Sequence, residues 1–325
     1  MRIAVVGATG LVGEVLLSLL PRSRFAGADL LALASAESAG ARLPYAGGEV
    51  TVQQLSLDCF TGVDLAFFAI GDELSQRFVP AALDAGSLVV DKSNAFRLQE
   101  EVPLLVPGVN DYALGEEKLA ANPNCTTIGF VHTIAPLMRF GIEEVSASSY
   151  QAVSGAGRSA VREFWSRCLD ALTAQPDAYS IAAAEALQTV PAIDQPVGDE
   201  HREETKLRLE TAKILQLDAG SIFATAVRVP VLVGHGLAVH LKLAEAPPAE
   251  LVRQALAENP TLLVLPTGEP PTSAQAVLHR DRVVVGRLRV RPERHSVDLF
   301  AVADNLHLGA ALNGLRIAEL MVARG

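Results

Sequence analysis

The segment Gly7-Ala8-Thr9-Gly10-Leu11-Val12-Gly13 lies between an apolar run, Ile3 to Val6, and a stretch of helical periodicity, Leu11 to Leu20. A strand that meets a glycine turn and passes straight into a helix is a phosphate cradle. Gly7 permits the tight turn, Gly10 lets the backbone approach a diphosphate, and Gly13 lets helix and strand pack closely. The N–H groups and partial positive charge of the helix N-terminus complete the anion site. Ordinary strand–helix turns also carry glycines, so the flanks decide. Apolar runs recur at Leu30–Ala34, Asp64–Ile70, Leu88–Asp91 and Leu104–Val106, with a helical stretch at Ser75–Ala85. Such alternation predicts an α/β domain with a Rossmann-type parallel sheet, covered on both faces.

The chain has 325 residues, half of them hydrophobic, which excludes disorder as its main state. Its 27 Lys and Arg against 37 Asp and Glu leave a formal charge of −10 with no basic stretch. That argues against nucleic acid and against anionic membrane surfaces. No apolar run approaches the roughly 20 residues of a membrane span, and the N-terminus enters a strand without a cleavable leader. Cys59, Cys125 and Cys168 are too few and scattered for a disulfide framework or a zinc site. A cytoplasmic, reduced protein with no metal is expected.

The pattern changes near Asn122-Pro123-Asn124-Cys125. An apolar helix is expected to about Met138, then a strand over Glu144–Ala152 and a helix after Gly157. Residues 174–200 lack a clean period and read as an excursion or lid. A charged helix spans 202–215, and strands are expected near 221–229, 236–243, 282–290 and 295–303. Leu237, Val239 and Leu241 alternate with Ala238, His240 and Lys242. Long strands in succession predict a mixed sheet in a second, α+β domain. The boundaries read as 1–124 with 306–325, and 125–305, the last helix running from Leu306 to Ala323.

Cys125 precedes an apolar helix, where a thiolate is stabilised and its nucleophilicity at neutral pH rises. A lone Cys is also a common packing residue, and Cys59 and Cys168 read so. His235, bracketed by Gly234 and Gly236, has room to reach a cleft and, near its ordinary pKa, suits proton transfer to and from a thiol. Arg228, amid an apolar strand, calls for an anion such as a carboxylate or an internal partner. Glu203, Lys206 and Glu210 share one helix face, which in isolation reads as a solvated ion-pair face. Arg97 follows the fourth strand, where an anion or solvent could meet it. Gln151 ends a strand that runs into a glycine turn. At the end of the second strand, Ser35-Ala36-Glu37-Ser38 places a carboxylate where an adenosine ribose would bind and a 2′-phosphate would be repelled.

Together these segments resemble the aspartate-β-semialdehyde dehydrogenase family over nearly the whole chain. The carriers are Gly7 to Gly13, the Asn-Pro-Asn-Cys at Cys125, Tyr150 to Gly157, the helix from Glu203 to Lys213, Arg228 to His235, and Ala303-Asp304-Asn305-Leu306. The resemblance implies a homodimeric enzyme that converts an aspartyl-β-phosphate and a reduced nicotinamide (NADP or NAD) into the semialdehyde and inorganic phosphate. By matching positions, Cys125 is the thioacyl nucleophile, His235 the acid/base, and Gln151 the residue that orients the reacting group. Arg228 would clamp the substrate carboxylate and Glu203 its amine. Lys206 and Arg97 would hold the acyl phosphate, with Asn124 also on the substrate side. Cofactor contacts would fall on Gly7, Thr9, Gly10, Leu11, Val12, Gly13, Ser35, Glu37, Ser38, Gly71, Ser154, Gly155 and Asn305.

The departures cluster on the cofactor side. Glu37 stands where the family commonly has an Arg for a 2′-phosphate, which weighs toward NAD. Asp72 follows Gly71, and Lys92, Gly108, Ala160 and His307-Leu308 also differ. Two other readings stay open on residues alone. One is a relative acting on another acyl phosphate, such as an N-acetylglutamyl phosphate reductase. The other is a non-catalytic dinucleotide-binding protein.

Overall fold

The computed structural model describes residues 1–173 and 181–324. They form two compact units. The first comprises residues 1–124 and 309–325, the second 125–308.

In the first unit, β1 (Arg2–Val6) leads through the glycine turn into α1 (Leu11–Leu19), and β2 (Asp29–Ala34) follows. A hairpin of β3 (Arg42–Tyr45) and β4 (Gly48–Thr51) comes next, then a short β5 (Gln53–Gln54). After it come β6 (Leu65–Phe68), α2 (Asp72–Asp84), β7 (Leu88–Asp91) and β8 (Leu119–Ala121). The sheet runs β5-β2-β1-β6-β7-β8, every pair parallel. Its central strands are buried from Ile3 to Val6 and from Leu65 to Phe68, because helices cover both faces. Leu33, Leu65 and Phe68 are at most 1% exposed, each contributing about 1.5–3 kcal/mol of burial. The strand expected at Leu104–Val106 is not formed. Leu104 makes only an isolated bridge to Ala121, and the edge position goes to β8. Either short apolar run could pair with β7, and only the tertiary path selects between them.

In the second unit, α3 (Cys125–Ile134) is followed by β9 (Ile142–Gln151) and α4 (Arg158–Thr173). The excursion expected at 174–200 falls partly outside the described residues. Within them lie α5 (Ile181–Ala186) and a small pair, β10 (Pro196–Val197) and β11 (Glu200–His201). Then come α6 (Arg202–Leu215), β12 (Ile222–Arg228) and β13 (His235–Leu243). Next are α7 (Ala249–Ala257), β14 (Leu262–Val264), α8 (Ser273–Leu278), β15 (Val283–Arg291) and β16 (Ser296–Ala303). The sheet is mixed, as expected, in the order β12-β9-β13-β16-β15-β14. β12 lies parallel to β9 and β14 to β15, while the central pairs are antiparallel. In β13 the alternation holds: Leu237, Val239 and Leu241 are buried, whereas His240 and Lys242 face outward. The chain then returns to the first unit through α9 (Asn313–Arg324).

Candidate active site

Register brings three of the expected residues into one row. Arg228 pairs with Gln151 across the parallel β12–β9 ladder. His235 opens β13, directly before Gly236, which pairs with Tyr150. Paired residues on neighbouring strands point to the same face. Arg228, Gln151 and His235 therefore share one end of the covered face, where Gln151 and His235 are each 2% exposed.

Cys125 is the first residue of α3. Its Sγ lies 3.3 Å from Nε2 of His235. The other ring nitrogen, Nδ1, accepts the backbone N–H of Ala152 at 3.0 Å. Arg228 donates through Nη1 to the carbonyl of Ala152. That one peptide segment thus anchors both the imidazole and the guanidinium. Gly155 closes over them. A Cβ at that position would sit 3.1 Å from Nε2 of His235 and 3.2 Å from Nη1 of Arg228, tight enough that both would have to give by a few tenths of an ångström.

The expectation of an imidazole titrating near neutrality fails. Burial, and next the charge of Arg228, push His235 down to about 3, against a smaller pull from Glu203. Arg228 is itself lowered by burial, opposed by the negative charges of Cys125 and Glu203.

The face of α6 is not solvated as its isolated pattern suggests. Glu203 is 7% and Glu210 1% exposed. Lys206 Nζ lies 2.8 Å from Asp194 and 3.1 Å from Glu203. Burial alone would lower that ammonium, but the two carboxylates outweigh it and hold it above its ordinary value. Asp194 escaped the sequence reading, because nothing near it in the chain signals a partner. Glu204 was also missed. It accepts the N–H of His201 at 2.7 Å and that of Ala226 at 3.0 Å, tying the start of α6 to β12.

Two residues expected toward the cofactor have other work in this unit. Asn305 Oδ1 accepts the N–H of Gly234 at 2.9 Å, and its Nδ2 donates to Ser154 Oγ at 2.9 Å. This staple fixes the turns ahead of His235 and beyond Gln151.

In the first unit, the glycine turn is packed so closely that only glycine fits it at two positions. Gly7 has φ +85°, and a Cβ there would lie 2.4 Å from the carbonyl oxygen of Ala69. One at Gly13 would lie 2.3 Å from the carbonyl oxygen of Gly7. Thr9, Gly10, Leu11 and Val12 span the helix start, where Gly10 offers no capping side chain. The amides of Gly7 and Ala8 both bond Leu33 O, at 2.8 and 3.1 Å, which sets the turn beside the end of β2. There Ser35 Oγ donates to Glu37 at 3.2 Å, with Ser38 following. Gly71 caps α2, and Asp72 accepts the N–H and amide of Asn94 at 2.8 and 3.1 Å. Arg97 is 5% exposed, donating to the carbonyls of Asn122 and Lys92 and to Asn94 Oδ1. Asn124 is buried just ahead of the nucleophile.

These residues fit a nicotinamide dinucleotide and an acyl-transfer centre, which defines a thiol-dependent dehydrogenase. Residues 2–117 match the family model described as "Semialdehyde dehydrogenase, NAD binding domain", and 134–308 match "Semialdehyde dehydrogenase, dimerisation domain". The chain belongs to the semialdehyde dehydrogenase family. It is 37% identical to an aspartate-semialdehyde dehydrogenase of Legionella pneumophila, over 99% of this chain and 95% of that one. It is also 37% identical to the Bacillus subtilis enzyme of that name, over 98% and 96%. The crystal structure of aspartate semialdehyde dehydrogenase II from Vibrio cholerae superposes with a TM-score of 0.91 at 35% identity, covering 99% of this chain and 98% of that one.

Proposed function

We propose that the chain reduces aspartyl-β-phosphate to aspartate semialdehyde and inorganic phosphate through a thioacyl bond on Cys125. The observation that carries this is the 3.3 Å approach of Cys125 Sγ to His235 Nε2, at the end of a row that also presents Gln151 and Arg228. A thioester accepts hydride where a carboxylate does not, and covalent catalysis makes that acceptor. Bound nicotinamide supplies the hydride. Gln151 orients the reacting carbonyl. Arg228 offers a planar fork for the substrate carboxylate. The buried carboxylate of Glu203 suits a free ammonium and disfavours an acylated amine, which favours aspartyl over N-acetylglutamyl phosphate. Lys206 supplies positive charge for the phosphate.

The mechanism needs a reduced thiol, and the cytoplasm is the compartment we assign. A homodimer through the second unit accords with the description of its family model.

The experiment is a phosphate-dependent oxidation of aspartate semialdehyde with NAD and with NADP in parallel. Phosphate-dependent turnover with either supports the reading. Binding of cofactor without turnover would replace it with a dinucleotide-binding role, and turnover only with N-acetylglutamate semialdehyde would replace the substrate.

A further inference from the structure

In the first unit, a chain of polar contacts sets the orientation of an arginine. Arg97 lies in the loop that follows β7 and is 5% exposed. Its guanidinium is held on three sides. Nε donates to the carbonyl of Asn122 at 3.0 Å, Nη1 to Oδ1 of Asn94 at 2.9 Å, and Nη2 to the carbonyl of Lys92 at 2.5 Å. These three acceptors are neutral oxygens, so they fix the plane of the fork without cancelling its charge. Asn122 is fixed in turn. Its Oδ1 accepts from Asn313 at 2.7 Å, and its N–H donates to the carbonyl of Asp91 at 2.7 Å. It stands three positions ahead of Cys125 in the chain.

Asn94 is the pivot. An asparagine amide has one end that only donates and one end that only accepts. The accepting end meets Arg97, which can only donate. The donating end meets the two carboxylate oxygens of Asp72 at 3.1 and 3.2 Å, and the backbone N–H of Asn94 reaches the same group at 2.8 Å. The sense of the amide is therefore dictated from both sides. Asp72 is the first residue of α2, so the helix start anchors the loop that carries Arg97. Its carboxylate acts on the guanidinium through a neutral amide instead of pairing with it. The neighbouring carboxylate, Asp91, accepts from Ser75 and Ser93.

We propose that Asp72 and Asn94 are positioning residues that hold Arg97 ready for the phosphate group of the substrate. This deepens the function proposed above and rests on it for the phosphate being that of an acyl phosphate. An arginine that swung freely would lose rotamer freedom on meeting an anion. One already held in its frame loses less and binds more tightly. A direct Asp–Arg pair would hold the fork equally well but would repel the phosphate. The interposed amide separates the two effects: it transmits the anchoring and leaves the positive charge for the ligand.

The test varies inorganic phosphate, aspartate semialdehyde and the nicotinamide cofactor in turn, with the full-length enzyme oxidising the semialdehyde. Asp72→Ala should raise KM for phosphate about threefold to tenfold. Asn94→Asp, which sets a carboxylate against Arg97, should raise it about tenfold or more, the size of one charge-assisted hydrogen bond. KM for the semialdehyde should stay within about twofold. In an Arg97→Lys background Asp72→Ala should add less than about twofold, because coupled residues are not additive. A merely structural relay would move all three KM values together or cost the same in both backgrounds, and either result would overturn the proposal. A rise confined to the cofactor would assign Asp72 to that ligand and overturn it too. Calorimetric titration of inorganic phosphate into the enzyme without semialdehyde should give the same ranking. That arm needs no turnover, so failure of the substrate assignment leaves it readable. A parent that binds no phosphate, or variants that bind it as well as the parent, would refute the relay.

Discussion

Cys125 and His235 stand 110 positions apart in the chain and 3.3 Å apart at Sγ and Nε2. A helix start and a strand start, each fixed by its own backbone, deliver the pair. The geometry leads to four expectations.

Replacing Cys125 with Ala should abolish turnover while NAD binding is kept, because the glycine turn of β1 and α1 is untouched. Stopped turnover of the parent enzyme should show a thioacyl mass on the peptide that carries Cys125. A variant that still turns over would remove the covalent route.

Arg228→Lys keeps a charge but loses the planar fork. It should raise KM for the semialdehyde about 10- to 100-fold, the equivalent of one or two charge-assisted hydrogen bonds. The substrate dependence of the rate checks this, and an unchanged KM would place the carboxylate elsewhere.

Stability should fall on the acid side. His235 sits at about 3 in the folded chain and near 6.5 when unfolded. Between those values the unfolded chain binds a proton that the folded chain refuses. Its contribution is full above about pH 6.5 and drains away toward 3, by up to about 1.4 kcal/mol per pH unit. His307, lowered chiefly by burial, adds a loss of the same sign. Urea midpoints from pH 7 to 4.5 should drop less steeply in His235→Gln than in the parent, and parallel slopes would refute the assignment.

Glu37→Arg should raise affinity for adenosine 2′,5′-bisphosphate relative to AMP by about tenfold or more. The change reverses a charge at the end of β2. No Lys or Arg lies between Leu30 and Ala41, and Arg42 pairs with Glu49 at 3.4 Å. Calorimetric titration of both nucleotides decides it. An unchanged ratio would show that the 2′ position lies away from residue 37.

Much of this was legible in the sequence, for physical reasons. The strand–glycine–helix start is local, so Gly7 to Gly13 announced the first sheet. The alternation in His235 to Leu243 reports one buried face directly, and α6 was bounded correctly at 202–215 by its composition. Leu104–Val106 misled because a short apolar run carries no information about which partner it will find. The elements α7, β14 and α8 were missed because they are short and interrupt what otherwise reads as successive strands. At the site, residue types were readable but their electrostatics were not. The depression of His235 arises from burial and from Arg228, both consequences of the fold. Asp194 became visible only once the chain had brought it to Lys206, and the solvated reading of Glu203 and Glu210 failed because their periodicity is the same for a wet face and a dry one.

The amide that grips Nδ1 of His235 belongs to the main chain. Every amino acid except proline carries it, so the contact itself needs no particular side chain at residue 152, and what restricts that position is the full burial of Ala152. Here the placing of an imidazole is written in the shape of the backbone, not in a side-chain partner.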